Sequence, residues 1–241
     1  MRLAIIGGGR AAWAFGSAWR RIGWPIAGVA TRRDGAISKL LGIDRRPIEQ
    51  MLDAELILIA VSDRAIHDVA ASIPSTNAII WHPSGSHTSV RGGFSLHPLK
   101  ALPPVGEPSS DIAGTLLVFE GEHRDVAKRI ADAAGARFAE ITAEQKRRYH
   151  AAAVFASNYV AALLDIANEL IGIDNVRDDL VALARSAIEN WAKHADARRF
   201  TGPAARGDRA VIDTHIEVLQ PQEDLAVIYR LLAERILATA K

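Results

Sequence analysis

The segment Leu3-Ala4-Ile5-Ile6, followed at once by Gly7-Gly8-Gly9-Arg10-Ala11-Ala12, constrains this chain more than any other feature. The short apolar run reads as a buried strand, and the amphipathic stretch Ala11 to Ile22 as the helix that leaves it. The turn between them fits the pattern G-x-G-x-x-A. Gly7 stands at the tight turn, Gly9 where backbone must approach a pyrophosphate, and Ala12 where a small residue lets helix and strand pack closely. The helix then aims its free N–H groups and positive dipole end at the phosphates. A glycine pattern alone is a weak signal, but the strand before it and the helix after it are the context it requires. Gly7, Gly9, Arg10 and Ala11 are therefore expected to bind a dinucleotide.

The pattern repeats through the first half of the chain. Ile26 to Ala30, Leu56 to Val61, Ala78 to Trp81, Thr115 to Phe119 and Arg137 to Ile141 read as further strands. Most are continuous apolar runs, as in a parallel sheet covered on both faces. Pro47 to Ala54, Ala65 to Ile73 and Arg124 to Ala134 read as helices between them. The expected fold is a doubly wound α/β domain of the Rossmann type. His82 to Asp111 holds five of the ten prolines and three of the eight histidines, and reads as a long functional loop.

After Thr142 strands vanish. Ala143 to Ile171, Val176 to His194, Ala205 to Leu219 and Gln222 to Ala240 read as helices, with Thr142 as the first cap. The sequence thus implies a nucleotide-type domain over 1–142 and an all-helical domain over 143–241, the latter suited to pairing with a second copy. With 49% hydrophobic and 24% charged residues and a net charge of +1, the chain is neither an acidic disordered segment nor a broadly basic nucleic-acid binder. The absence of cysteine excludes disulfides, thiol nucleophiles and thiolate metal sites. No apolar run reaches the roughly 20 residues of a membrane span, since Ser157 and Asn158 interrupt the longest. The start is too short for a secretory signal, so a cytoplasmic location is expected.

About 20 residues past the turn, where NAD-binding domains carry an acidic residue, the second strand ends at Thr31-Arg32-Arg33. Two arginines there suit a 2′-phosphate, so NADP is the expected cofactor, unless they are solvated loop charges. Val61 and Ser62 end the next strand at the sheet's carboxyl edge and should line the nicotinamide half. Asp63 is read as a helix cap.

Three further stretches are more specific: His82-Pro83-Ser84-Gly85-Ser86 with Ser95-Leu96-His97-Pro98-Leu99, Lys146 to Asn158 (KRRYHAAAVFASN), and Thr201 to Asp208 (TGPAARGD). With the glycine turn they resemble a family of Rossmann-like oxidoreductases with a C-terminal helical domain of uncharacterised function. That family is similar to 6-phosphogluconate dehydrogenase, pyrroline-5-carboxylate reductase and ketopantoate reductase. The resemblance implies a nicotinamide-dependent reductase and supplies no substrate. The charged lead-in Asp196-Ala197-Arg198-Arg199-Phe200 departs from the apolar one the family would show.

Reduction of a carbonyl or imine needs a proton donor and a grip on the substrate's anionic end. On one helix, Lys146, His150 and Ser157 would fall within about 40° of each other. In the related dehydrogenases a lysine and an asparagine on this helix face the nicotinamide, which implies Lys146 or His150 as proton donor and Asn158 as orienting amide. Against this, Lys146 lies in a basic run that suits a solvated face, and Asn158 could serve a helix–helix hydrogen bond. Ser84, Ser86 and His97 from the loop, Ser157, and Arg206 beside a helix start complete the expected substrate contacts. The alternative for Arg206 is an ion pair with Asp208. A zinc site of His82, His87 and His97 has unfamiliar spacing, and no metal is expected.

The expected function is an NADP-dependent reductase of a small carboxylate-bearing carbonyl or imine compound, ketopantoate-like 2-oxo acids being the class the resemblance favours. A cyclic-imine reductase, a deazaflavin-dependent reductase and a non-catalytic dinucleotide sensor are the alternatives. A homodimer is expected, with no nucleic-acid or membrane partner.

Overall fold

The structure, a computed structural model, describes residues 1–32, 36–108 and 111–239. It divides into two compact units, Met1–Asn158 and Tyr159–Lys241. The boundary thus falls after the first helix of the expected second domain, because that helix packs against a strand of the sheet.

In the first unit, β1 (Leu3–Ile6), β2 (Ile26–Ala30), β3 (Leu56–Ile59), β4 (Ile79–His82), β5 (Phe94–Pro98), β6 (Leu116–Gly121) and β7 (Arg137–Glu140) form one sheet. Their order is β2-β1-β3-β4-β5-β6-β7. The first five strands run parallel, β6 is antiparallel to β5, and β7 is parallel to β6. Successive side chains point to opposite faces. Leu3, Ile5, Leu56 and Leu58 pack with α1 (Arg10–Ile22) and α4 (Arg124–Ala134), whereas Ala4, Ile57 and Ile59 pack with α3 (Ile66–Ser72). Helices cover both faces, as a doubly wound sheet requires.

β5 lies inside the segment read as a loop. Its Phe94 and Leu96 enter the core while Ser95 and His97 point to the other face, a two-residue alternation flanked by Gly93 and closed by Pro98. The expected helix Pro47 to Ala54 is only a single turn at Ile48–Gln50, and α2 (Ala36–Leu41) forms where no helix was expected.

The long helix expected from Ala143 is broken. α5 (Ala143–Phe155) begins at a capping box made by Thr142 and Gln145, and α6 begins at Asn158. At the break the Ser157 hydroxyl donates to Ala153 O at 2.7 Å, a local bond that competes with the helix. By length and composition alone, Ala143–Leu170 would be apolar enough to cross a membrane.

The second unit holds α6 (Asn158–Leu170, from its second residue), α7 (Arg177–Lys193), α8 (Pro203–Arg206), α9 (Arg209–Leu219) and α10 (Glu223–Thr239). The expected helix Ala205 to Leu219 is divided by Gly207, whose φ of 75° ends α8, and Asp208 caps α9 by accepting from Val211 N. Its buried apolar cluster is small: Ala204, Ile212, Ala233 and Leu237.

Candidate active site

The strand order reverses direction of growth at β1, and the crevice of an open α/β sheet opens beyond the carboxyl ends at such a point. A cleft of about 730 Å³ lies there, lined by Gly7, Gly8, Gly9, Arg10 and Ala11 from the turn, Thr31 and Arg32 from the end of β2, and Val61 and Ser62 after β3. Ligand sites commonly have volumes of about 300–1,000 Å³. Gly7 adopts φ of 115°, and a Cβ there would lie 2.1 Å from Ala60 O, so only glycine fits between the two strands. At Gly9 a Cβ would meet nothing within 4 Å and would project into open space. Gly9 is the residue before α1, with extended backbone and no side-chain cap, leaving the helix's first N–H groups for a ligand. These residues fit a dinucleotide's pyrophosphate.

Arg32 is exposed at the cleft, and Arg33 lies outside the described residues. Arg45, which belongs to no local motif, reaches the same strand end. Its Nε and Nη2 donate to Thr31 O at 3.1 and 2.8 Å. Only a sheet-edge bridge between Val29 and Arg45 brings it there, and no local motif records that pairing.

A second group of polar residues stands on one face of the sheet at β4–β6. Residues His82, Ser95 and Glu120 are paired across the three strands and buried. Lys146 descends on them from α5 and is itself fully buried, while its neighbours Arg147 and Arg148 are exposed. Its Nζ donates to Ser95 Oγ at 2.5 Å and lies 3.8 Å from Glu120 Oε2. Ser95 donates to the same carboxylate oxygen, and Ser89 donates to both oxygens through its N–H and hydroxyl. Burial pulls the Lys146 ammonium down to about 8, against the pull of Glu120 and then Asp63. The basic run therefore does not form a uniform solvated face.

Next to this group, His97 Nδ1 lies 2.6 Å from Tyr149 Oη, and the His97 and His150 rings meet edge to face with centroids 5.9 Å apart. Burial, helped by the charges of His150 and Lys146, lowers His97 to about 4, and burial raises Tyr149 to about 12. Gly85 passes directly beside both imidazoles: a Cβ there would stand 2.5 Å from His150 Cδ2 and 2.9 Å from His97 Nε2.

The turn around Gly85 is tied to itself. Ser84 Oγ accepts from Ser86 N and His87 N at 3.2 and 3.1 Å, and the Ser86 hydroxyl donates to Asp63 Oδ2 at 2.7 Å. Offering these groups to an anion would require them to exchange partners. Asp63 is thus a partner of Ser86, with His87 Nδ1 3.6 Å away, and not the expected helix cap. His82 takes a hydrogen bond from Ser84 N on Nδ1 while its Nε2 meets Thr88 O, and burial lowers it to about 4.

The structure brings Lys146, His150, His97, Ser84 and Ser86 into one neighbourhood, together with Ser95, Glu120 and Tyr149, which the sequence did not single out. It does not keep Ser157 on the Lys146 stripe, nor Asn158 on the same helix. The break after Phe155 ends the helical spacing, Ser157 turns to Ala153 O, and Asn158 is exposed and accepts from Ser157 Oγ. Arg206 is exposed at the last residue of the one-turn helix α8, so the helix start beside it belongs to Asp208.

Comparisons agree with this architecture. Protein BF3122 of Bacteroides fragilis has a similar structure, with a TM-score of 0.79 at 20% identity, covering 98% of each chain. Protein TM1727 of Thermotoga maritima gives 0.76 at 24% identity over 99% of this chain and 98% of that one. The reductive aminase of Aspergillus terreus, solved with NADPH and ethyl levulinate, gives 0.64 at 13% identity over 98% and 93%. At these identities the likeness is one of fold. No curated protein matches in sequence. Residues 116–236, half of the chain, match the model of the family described as Domain of unknown function (DUF2520), and the chain belongs to that family.

Proposed function

We propose that this protein is an NADP-dependent oxidoreductase that reduces a small carbonyl or imine compound bearing a carboxylate. The observation that carries the reading is the cleft at the end of β1, where Gly9 leaves open space before α1 and Arg32 stands at the end of β2. When bound there, the reduced nicotinamide supplies hydride. Gly7, Gly9 and the start of α1 hold the pyrophosphate, and Arg32 with Arg33 recognises the 2′-phosphate. His150, half-buried beside Gly85, supplies the proton. Lys146 contributes a fixed positive charge from beneath, where Ser95 and Glu120 hold it. Ser84 and Ser86, on exchanging their present partners, are the contacts for the carboxylate.

A 2-oxo acid of the ketopantoate kind is the first substrate class. An imine is the second reading, favoured by the likeness to the reductive aminase. The second unit presents Leu183, Ile188, Trp191 and Leu231 to solvent while burying few apolar residues, which supports a homodimer formed through its helices. The test is consumption of NADPH against a panel of 2-oxo acids and cyclic imines. Turnover of one class identifies the substrate. Binding of NADPH without turnover of any compound would favour the dinucleotide-sensor reading.

A further inference from the structure

The strongest unassigned arrangement is the contact between Tyr149 and His97. Among the described residues, the Tyr149 hydroxyl has one hydrogen-bond partner, His97 Nδ1 at 2.6 Å. Both side chains are partly buried, and the phenol keeps its proton at neutral pH because burial raises its pKa. Two arrangements satisfy this contact, and each leaves one hydrogen without a protein acceptor among the described residues: the phenol's, if Nδ1 carries the proton, or the one on Nε2, if the phenol donates to Nδ1. The second places that hydrogen on the ring edge beside Gly85, where a substrate atom can accept it, and is the arrangement taken here. A neutral imidazole with Nδ1 accepting carries its hydrogen on Nε2.

That second nitrogen has a definite outlook. Gly85 passes beside it: an added Cβ there would lie 2.9 Å from Nε2 and 2.5 Å from His150 Cδ2. Any side chain at position 85 would collide with the two rings, so only glycine lets the turn pass this close to Nε2. The charged groups acting on His97 are His150 and Lys146, which oppose its protonation, and Asp63, which favours it more weakly.

We infer that Tyr149 is a positioning residue that fixes His97 as a neutral Nε2–H donor at the Gly85 turn, ready to hydrogen-bond the carbonyl oxygen or imine nitrogen of a substrate. The inference rests on the reductase reading. It assigns His97 to polarising the acceptor atom without surrendering its proton, and leaves the proton itself to His150. The two imidazoles, although adjacent, thus have different work.

The experiment is nitrogen-15 NMR of the full chain labelled at histidine, with the His97 signals identified by their loss in His97→Gln. Wild-type protein should show His97 neutral, protonated on Nε2 and bare on Nδ1 near neutral pH. Tyr149→Phe, which removes one oxygen and keeps the ring, should release the lock, so that both tautomers appear and the titration moves up towards the usual histidine value. A wild-type His97 protonated on Nδ1, or charged at neutral pH, overturns the inference without recourse to any variant. An unchanged tautomer in Tyr149→Phe overturns the role of Tyr149.

NADP+ and pyruvate, a 2-oxo acid probe that cannot be reduced by the oxidised cofactor, are then added. A shifted Nε2–H resonance supports the donor role, whereas an unmoved one while pyruvate perturbs the His87 or His150 signals overturns it. If NADP+ perturbs nothing, the reductase reading fails while the tautomer result stands.

Discussion

Glu120 and Lys146 face each other 3.8 Å apart with both side chains withdrawn from water, one rising from β6 and the other descending from α5. Taking two charges out of water is costly, and the cost is offset only where further hydrogen bonds complete the pair. Ser89 and Ser95 supply them. The arrangement fixes a positive charge beneath the site and anchors α5 to the first unit.

Glu120→Gln keeps the shape and removes the countercharge. It should destabilise the fold by about 3–5 kcal/mol, the usual effect of leaving a buried charge unpaired, and push the Lys146 pKa further down from about 8. Adding Lys146→Met should restore part of the loss, because the orphaned charge is then gone. Denaturant unfolding of the two single variants and the double variant checks this. Strict additivity of the two substitutions would contradict the coupling.

Legibility followed how local each signal was. Gly7 and Gly9 act through backbone shape and space at one turn, so their pattern could be read directly, and the apolar runs of β1, β2 and β4 were equally plain. β5 was hidden because Ser95 and His97 make half of it polar and Pro98 ends it. Those same two residues are site residues, and their meaning comes from Glu120 and Lys146, which lie far away along the chain. Tyr149 stood inside a recognised motif but gained its role only through His97, 52 positions earlier. The break at Ser157 was invisible to a spacing argument that assumed one continuous helix.

Gly7 and Gly9 should respond differently to the same methyl group. Gly7→Ala drives a Cβ into Ala60 O at a φ of 115° and should lower stability by several kcal/mol, on the order of 3, as strained backbone and overpacking combine. Gly9→Ala has extended backbone and open surroundings, so its thermal midpoint should stay within about a degree or two, a surface-like effect below roughly 0.5 kcal/mol. Its NADPH affinity should nevertheless fall at least about tenfold. Thermal unfolding and NADPH titration separate the two variants. A Gly9→Ala protein that binds NADPH normally would remove the pyrophosphate from this turn.

His82 and His97 are both held at about 4 by burial, below the ordinary 6.5. The unfolded chain takes up these protons near 6.5 and the folded chain only near 4. The unfolded state therefore binds more protons across that window, and stability falls as pH drops through it. Each histidine contributes at most about 1.4 kcal/mol per pH unit, His97 less because it is only partly buried. The urea midpoint should decline from about 6.5 towards 4, and His97→Gln should flatten the decline. A wild-type midpoint that is level across this range would contradict neutral burial of the two rings.

The most direct measurement is titration of the protein with NADPH and, separately, NADH, followed by tryptophan fluorescence. Trp13 lies in α1 just past the glycine turn, where a bound dinucleotide should alter its emission. NADPH is expected to bind at least about tenfold more tightly, a difference of some 1.4 kcal/mol, and Arg32→Ala should shrink that preference. Failure of both nucleotides to bind, with the fold intact, would contradict the account at its centre.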